Sequence, residues 1–291
     1  MIRRAAALLL ALFLPLSALA QGSVVNLIDH PDAAYRFSED TPLLEVVFPA
    51  IHGSDCCILR MAGETMMVDA STDDQHPLVA QALQAMGVTA VDTAFATHPH
   101  DDHLTGFEYL PPEVSIGRLL IAFPEDCNRV AKRTMRRMAE LHVPVEHVAD
   151  GDVLRLGDAE LTVVQRAGGQ FTENDLSAML MVRYGARTLY LAGDIENRGQ
   201  AALIAHPPAC GLKTDILKYP HHGHEKVRDP LWRLWDPELA VVTAHPFPAK
   251  KGFDYLRRMG VPGLTTWGRM LRLRTDGIIW VVDTLPEGGR I

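Results

Sequence analysis

Thr97-His98-Pro99-His100-Asp101-Asp102-His103-Leu104-Thr105-Gly106 is the stretch of sequence that decides the fold. Three histidines and two aspartates fall within six consecutive residues, directly after an apolar run at 93–97. This pattern predicts a strand that ends in a loop of metal ligands. Because alternate residues of an extended loop point the same way, His98 and His100 can hold one ion. Asp102 and His103 then turn towards a second. Imidazole is a common ligand of zinc, and a carboxylate together with imidazole can also bind a harder metal ion.

The pattern His98-x-His100-x-Asp102-His103 resembles the motif of the metallo-β-lactamase superfamily. Four other segments resemble that family in the same order along the chain: Gly53-Ser54-Asp55-Cys56-Cys57-Ile58-Leu59, Met66-Met67-Val68-Asp69-Ala70, Leu191-Ala192-Gly193-Asp194 and Asp215-Ile216-Leu217-Lys218-Tyr219-Pro220-His221-His222-Gly223. The Pro-His-His-Gly element is typical of a branch that includes the hydrolase domain of ComEC competence (DNA-uptake) proteins and the phosphorylcholine esterases. The resemblance implies an α+β fold, a four-layer αββα sandwich of metallo-β-lactamase type.

The same resemblance implies roles for the site residues. Asp69 supports the site, Asp194 bridges two ions, and His222 is the last ligand of the second position. Its neighbour His221 contacts substrate or a proton, although the two histidines could exchange these roles. The implied metal set is His98, His100, Asp102, His103, Asp194 and His222, with Asp102, Asp194 and His221 in catalysis. The implied cofactor is one or two Zn²⁺ ions, or another divalent ion such as Mn²⁺. Zinc lowers the pKa of bound water to about 7, so a shared hydroxide is the expected nucleophile.

Two positions depart from the family pattern. The superfamily usually supplies a third histidine to the first metal, but residues 164–174 contain none. The competence-type branch has Asn-Asp-x-Ser here, as Asn174-Asp175-Leu176-Ser177 does. Asn174 or Asp175 could complete or line the first position, with Ser177 nearby, or could only cap a turn. The second departure is His224, where the branch often has Ser. Its ring could shuttle protons, bind an anion or face solvent.

The beginning of the chain has the organisation of a secretory signal peptide. Arg3 and Arg4 precede an apolar run at 5–19, and Ala18-Leu19-Ala20 forms a small-x-small cleavage site before Gln21. We therefore expect residues 1–20 to be removed, leaving a periplasmic or secreted hydrolase domain at 21–291 without a stable membrane anchor. The alternative is an uncleaved N-terminal anchor, for which the apolar run is short.

Composition limits the fold and the partners. With 291 residues, 47% of them hydrophobic, the chain can form one large domain with a sizeable core. Its net charge of −8 argues against extended nucleic acid as a partner and favours a small-molecule or phosphoester substrate. A predicted helix at 125–142 carries a basic stripe, which could attract phosphates or form a solvated face. The four cysteines could be small buried residues or include one disulfide.

The rest of the pattern predicts strands alternating with helices. Strands are expected at 43–49, 55–61, 64–70, 92–97, 119–123, 177–184, 188–193, 215–219, 239–243 and 278–282, a hairpin at 153–164, and further helices at 73–86 and 197–205.

Three functions remain open on this sequence. The first is an exported zinc hydrolase acting on a phosphoester or phosphodiester. The second is a hydrolase of lactones or cyclic amides such as β-lactams on the same site. The third is a metal-depleted binding protein of the same fold. Retention of Asp102, Asp194 and His222 argues against the third, because decay would be expected to strike ligands at random.

Overall fold

The computed structural model describes residues 24–27, 37–38 and 40–285. The predicted signal peptide lies outside these residues. The strands are β1 (Val25–Leu27), β2 (Leu44–Phe48), β3 (Cys56–Met61), β4 (Glu64–Ala70), β5 (Ala90–Val91), β6 (Thr93–Ala96), β7 (Ser115–Ile116), β8 (Leu119–Ile121), β9 (Val145–His147), β10 (Val153–Leu156), β11 (Ala159–Val164), β12 (Met179–Tyr184), β13 (Arg187–Leu191), β14 (Ile216–Lys218), β15 (Leu239–Val242), β16 (Gly263–Thr265), β17 (Met270–Thr275) and β18 (Trp280–Leu285).

Six α-helices are assigned within the described ranges. They are α1 (His76–Ala85), α2 (Asp101–Leu104), α3 (Arg129–Glu140), α4 (Asn197–Ala205), α5 (Asp229–Trp235) and α6 (Lys250–Met259). One 3₁₀ segment, Thr105–Tyr109, follows the ligand loop, and another, Pro220–Gly223, contains His221 and His222. None of the helices in the described ranges has the length and apolar character needed to cross a bilayer.

Two large sheets carry the fold. The nine-stranded sheet has the order β1-β18-β17-β2-β3-β4-β6-β8-β9, and the seven-stranded sheet has the order β10-β11-β12-β13-β14-β15-β16. Each sheet contains an antiparallel run and a parallel run, and β1 adds a parallel pairing with β18 at the edge of the larger sheet. The parallel runs are β4-β6-β8-β9 and β13-β14-β15-β16. Strands β5 and β7 form a separate parallel pair.

The hydrophobic core divides into layers because alternate strand residues face opposite sides. Met66 and Val68 of β4 join the cluster between the two sheets, which also includes Leu161 from the other sheet. Met67, between them in sequence, joins a cluster on the outer face with Val79 of α1. A third cluster lies beneath α4, α5 and α6 on the seven-stranded sheet. The predicted four-layer αββα sandwich is confirmed.

The structure revises several local predictions. The helix expected at 125–142 begins later, where Oδ1 of Asn128 accepts a hydrogen bond from the backbone N–H of Ala131. On its basic stripe, Arg133 pairs with Glu108 and Arg137 with Glu140.

All four cysteines are free. Cys56 and Cys57 are buried on opposite sides of the sheet, but Cys127 is exposed, contrary to the buried interpretation.

The candidate site lies where the two parallel runs end. Carboxyl ends of parallel strands meet at one edge of a sheet, and β6, β13, β14 and β15 all lead into polar segments at this edge. Gly106 closes the loop after β6 beneath the chain that leaves β4, and its backbone N–H donates to the carbonyl of Ser71 at 3.0 Å. The fold therefore brings together segments that are far apart in sequence.

Candidate metal centre

The ligand loop leaves β6 at Ala96 and turns into the short helix α2. His98 is only 1% exposed, and its ring centroid lies 4.6 Å from that of His100 and 4.0 Å from that of His103. Its Nδ1 atom lies 3.1 Å from Oγ1 of Thr97. Its Nε2 atom has no hydrogen-bond partner among the described residues. The loop thus presents a buried imidazole nitrogen that has neither a hydrogen-bond donor nor an acceptor among the described residues.

Four side chains converge at a second position, namely Asp102, His103, Asp194 and His222. Oδ2 of Asp194 lies 3.2 Å from Nε2 of His103 and 3.2 Å from Nε2 of His222. Oδ2 of Asp102 lies 3.2 Å from the same His222 nitrogen. Donors bonded to one tetrahedral ion at about 2.1 Å lie about 3.4 Å apart. The observed separations are therefore close to those within a single coordination sphere.

The turn after β13 positions Asp194. Gly193 adopts φ +52°, and a Cβ there would lie 2.8 Å from the Cβ atom of Ser177. The Ser177 hydroxyl donates to the carbonyl of Asn174 (2.7 Å) and accepts from the backbone N–H of Asp194 (3.2 Å). Ser177 thus fixes the backbone of Asp194 without contacting the ligand positions.

Asp69 lies behind the ring of His103. Its Oδ2 atom is 2.8 Å from Nδ1 of His103 and accepts from the Thr97 hydroxyl at 2.8 Å, while Oδ1 accepts from the Thr97 backbone N–H at 2.8 Å. A carboxylate at Nδ1 leaves Nε2 to face the site, and such partners fix the ring and increase ligand basicity. Asp69 itself adopts φ +56°, a strained conformation for a residue with a side chain.

Asp55 has the corresponding place behind His222. Its Oδ1 atom lies 3.2 Å from Nδ1 of His222 and accepts from the hydroxyl of Thr243, while Oδ2 accepts from Nζ of Lys218. Asp55 also belongs to a compact group with His103, Asp194 and His222 whose potential ligand atoms lie within 4.8 Å of one another. Because its oxygens face the Nδ1 side and are already hydrogen-bonded, we assign Asp55 to support of His222.

Lys218 is a buried cation beside the site. Its Nζ atom also donates to the carbonyl of Gly193 at 3.1 Å and lies 3.6 Å from Oδ1 of Asp194. Burial lowers the pKa of Lys218, but the carboxylates of Asp55 and Asp194 outweigh it and hold the pKa above its usual value. The lysine therefore balances part of the negative charge that the aspartates concentrate here.

Burial and opposing charges shift the pKa values of the ligand candidates. Burial lowers the pKa of His103, but Asp194 and Asp69 outweigh it and raise that pKa well above its usual value. Burial likewise lowers the pKa of His222, but Asp194 and Asp55 outweigh burial and raise that pKa well above its usual value. For Asp102, burial raises the pKa, but the hydrogen bond from His222 and the charge of His103 bring it down to about 2. The neighbouring carboxylates therefore favour the protonated form of His103 and of His222.

The two adjacent histidines have different surroundings. His222 is 2% exposed with Nε2 towards Asp102 and Asp194, whereas His221 is half-buried. Nε2 of His221 lies 4.0 Å from Oδ2 of Asp194, and its Nδ1 lies 3.4 Å from Oε1 of Glu196. Both adopt φ +48°, which costs of order 1–3 kcal/mol for each residue. The ring centroid of His224 lies 5.6 Å from that of His221, so it borders the site.

Asn174 and Asp175 are held in separate interactions. The Asn174 amide donates to Oε1 of Glu196 at 2.9 Å. Oδ1 of Asp175 accepts from the backbone N–H groups of Glu196 (3.1 Å) and Gly199 (2.8 Å), so it secures the beginning of α4. Neither side chain contacts His98 or His100 in a hydrogen bond or ion pair that the described residues record. A neighbouring side chain does, because Oε2 of Glu173 lies 3.0 Å from Nε2 of His100.

Sequence reasoning assigned no role to Asp55, Lys218 or Glu173. Lys218 had a detectable signal, since a lysine at the end of an apolar β14 is rarely buried unless it is paired. The other two had none, because each acquires its partner only through folding. Asp55 and Lys218 are 163 residues apart, and His100 and Glu173 are 73 apart.

The donor chemistry fits a divalent metal ion. Among the described side chains, Nε2 of His98 and Oδ1 of Asp194 are buried without a hydrogen-bond partner, an arrangement that native proteins seldom leave uncompensated. Nitrogen from imidazole and oxygen from carboxylate are ligands for zinc and also for iron and manganese. The structure thus contains candidate ligands for a divalent ion.

Comparisons with known proteins identify the family and the fold. A family model described as a β-lactamase superfamily domain matches residues 64–224, more than half of the chain. The diiron β-hydroxylase CmlA from Streptomyces venezuelae is similar over 82% of this chain and 55% of its own, with 15% identity and a TM-score of 0.53. The metallo-β-lactamase fold protein YhfI from Bacillus subtilis is similar over 76% and 96%, with 9% identity and a TM-score of 0.50. No curated protein matches the chain.

The fold and the clustered histidines and aspartates together define a metallo-hydrolase scaffold with a candidate metal centre. The chain belongs to the β-lactamase superfamily. It spans about half the length of CmlA, and the likeness to both structures concerns the fold alone.

Proposed function

We propose that this protein is an exported metal-dependent hydrolase that cleaves a phosphoester or phosphodiester. The observation that carries the proposal is the position of Asp194 Oδ2, 3.2 Å from Nε2 of both His103 and His222. Asp102 lies 3.2 Å from the same nitrogen of His222. Zinc is the expected metal, and manganese or iron would suit the same donors. A divalent ion bound here would polarise a phosphoryl oxygen and lower the pKa of water to about 7.

The chain's own residues orient the ligands and manage charge. Asp69 and Asp55 direct Nε2 of His103 and of His222 into the site by contacting the opposite ring nitrogens. Lys218 neutralises part of the buried negative charge and so limits repulsion of an anionic substrate. The Asp102 side chain is 27% exposed, so the substrate approaches from its side.

His221 is suited to proton transfer. Its Nδ1 atom faces Glu196, and its Nε2 atom faces the site at 4.0 Å from Asp194. The carboxylate near Nδ1 orients the ring, so that Nε2 can exchange a proton with a leaving oxygen. His224 borders the same opening and provides a further polar contact.

Substrate size and charge separate the candidates. The net charge of −8 disfavours an extended polyanion, and the resemblance of Pro220–Gly223 to the competence-type branch supports phosphoester chemistry. We therefore expect a small phosphoester rather than long nucleic acid.

A substrate panel tests the proposal. Purified protein loaded with Zn²⁺ or Mn²⁺ is assayed on bis(p-nitrophenyl) phosphate, p-nitrophenyl phosphate, a chromogenic β-lactam and a lactone. We expect turnover of a phosphate ester that falls more than about a hundredfold in His222→Ala and is unchanged in His147→Ala, whose histidine is on the surface. Preference for the lactone or β-lactam would overturn the phosphoester assignment. Metal binding without turnover of any substrate would favour a binding protein.

The export proposal depends on residues 1–20 and has its own test. N-terminal sequencing of protein recovered from the periplasm or medium should give a terminus near Gln21. An intact Met1 on membrane-bound protein would refute it.

A further inference from the structure

The first metal position has two histidines and an incomplete set of other ligands. His98 directs a buried Nε2 atom into it, and this atom has no hydrogen-bond partner in the described part of the chain. The His100 ring lies beside it, at a centroid distance of 4.6 Å. Two imidazoles and a shared Asp194 leave room for another protein donor, because zinc sites commonly use three or four.

Glu173 reaches this position from the loop between β11 and β12. Its Oε2 atom lies 3.0 Å from Nε2 of His100, the nitrogen that would face an ion. Its Oε1 atom accepts a hydrogen bond from Nδ2 of Asn128 at 3.1 Å. The same amide donates to the carbonyl of Pro99 at 3.0 Å, within the ligand loop. Asn128 therefore connects Glu173 to the loop that carries both histidines and leaves Oε2 directed at His100.

We propose that Glu173 is the third protein ligand of the first metal position, together with His98 and His100. The distance of 3.0 Å is close to the separation of about 3.4 Å expected for two donors of one tetrahedral ion. It is also similar to the 3.2 Å contacts at the second position. Glu173 thus places an anionic oxygen beside His100, whereas the Asn174 amide nitrogen donates to Glu196 and Asp175 accepts from the beginning of α4.

A simple ion pair on the surface is the competing explanation. His147 and Glu125 provide an example, with 3.5 Å between Nε2 and Oε1 and both side chains more than half exposed. His100 and Glu173 are less exposed, at 35% and 40%. His100 also lies beside His98, whose buried Nε2 atom has no hydrogen-bond partner in the described residues. The surface pair has no such neighbour in the same part of the chain. An ion shared by all three side chains would satisfy that nitrogen, whereas a His100–Glu173 ion pair would not.

The proposed ligand set has consequences for the metal. Two imidazoles and one carboxylate bind catalytic zinc in some enzymes and ferrous iron in others. A carboxylate also adds negative charge that a neutral ligand would lack, so it strengthens binding of hard divalent ions such as Mn²⁺. The first position should therefore hold its ion more tightly than two histidines and a shared Asp194 would allow.

Metal titration of Glu173→Gln tests the assignment. Glutamine keeps the size and the hydrogen bond with Asn128 but removes the anionic donor. We expect the wild-type protein to bind two ions and the variant to lose affinity for one of them by at least about tenfold, with the other unchanged. Affinities come from chelator competition with Zn²⁺, and the Co²⁺ absorption spectrum reports the change in ligands directly. Glu125→Gln is the matched control, and Glu173→His should restore most of the lost affinity.

The possible outcomes distinguish the Glu173 assignment from the hydrolase proposal. The inference rests on that proposal only for the existence of the metal centre. Two ions bound equally by wild type and Glu173→Gln, with the same Co²⁺ spectrum, would overturn the inference and leave the hydrolase proposal intact. Loss of one ion in the variant without phosphate-ester turnover in wild type would support the inference and overturn the hydrolase proposal. Absence of metal binding by the wild-type protein would overturn both.

Discussion

Removal of the Asp55 charge should destabilise both the fold and the second metal position. Burial raises the pKa of Asp55, but Lys218 and His222 outweigh it and hold that pKa well below its usual value, so the carboxylate is ionised. Asp55→Asn removes the anionic hydrogen-bond partner of Lys218, whose side chain is 4% exposed, and leaves Asp194 at 3.6 Å as the nearest carboxylate. Removing one partner of a buried ion pair costs about 3–5 kcal/mol. A loss of that size in the free energy of unfolding is expected without metal.

The metal site should respond separately. Nδ1 of His222 loses its anionic acceptor at 3.2 Å, and loss of such a supporting contact weakens metal binding about ten- to a hundredfold. Urea denaturation in the presence of chelator measures the first effect, and chelator competition with Zn²⁺ measures the second. Lys218→Met in the Asp55→Asn background should recover part of the stability, because no buried cation then remains unpaired.

The comparison with an exposed pair isolates burial as the cause. Lys250 and Asp254 form an i,i+4 pair on the surface, so Asp254→Asn should leave stability nearly unchanged. The reasoning would be refuted if Asp55→Asn destabilised no more than this control. It would also be refuted if the effects of Asp55→Asn and Lys218→Met were simply additive, because partners in one ion pair must couple.

Two further predictions concern packing and protons. A Cβ at Gly106 would lie 1.8 Å from the carbonyl oxygen of Ala70, so Gly106→Ala should lower the free energy of unfolding by about 3 kcal/mol or more. Gly169→Ala, with open space around its Cβ, should be nearly neutral. Equal urea midpoints for the two variants would contradict this prediction. The raised pKa values of His103 and His222 stabilise the metal-free fold fully below about pH 6.5, and this contribution is lost as pH rises through the raised values. Metals bind neutral imidazole, so binding of the second-position ion should release about two protons at pH 7. Calorimetry in buffers of different ionisation enthalpy measures this release. The absence of release would show that the rings are already neutral.

Local pattern was sufficient for the ligand loop and for most strands. His98, His100, Asp102 and His103 are contiguous, and the apolar run before them forms β6. The layered architecture came from family resemblance, because alternation alone indicates only mixed α and β. The family-model match confirms the superfamily, whereas membership of the competence-type branch stays a proposal.

The interactions that sequence could not predict are long-range. Asp55 becomes a supporting carboxylate only because the start of β3 and the end of β14 lie at the same edge. Glu173 reaches His100 only because the loop before β12 brings it there. Helices α5 and α6 and strand β16 were also missed, since α5 has only seven residues with a proline near its start, α6 has an internal glycine, and β16 is three residues long. For Asp175 the sequence left both a metal-site role and a turn cap open, and in the structure its Oδ1 atom accepts a hydrogen bond at the beginning of α4.

The most direct test of a two-metal centre organised by Asp194 is the metal content of Asp194→Ala. Oδ2 of this residue is 3.2 Å from Nε2 of both His103 and His222, and its other oxygen lacks a hydrogen-bond partner in the described structure. Wild-type and variant protein, with folding verified by circular dichroism, are incubated with excess Zn²⁺, gel-filtered and measured by elemental analysis. The account predicts about two ions per wild-type chain and well below one per variant chain, because a bridging carboxylate serves both positions. Wild-type stoichiometry in the variant would show that Asp194 is structural only and would contradict the account.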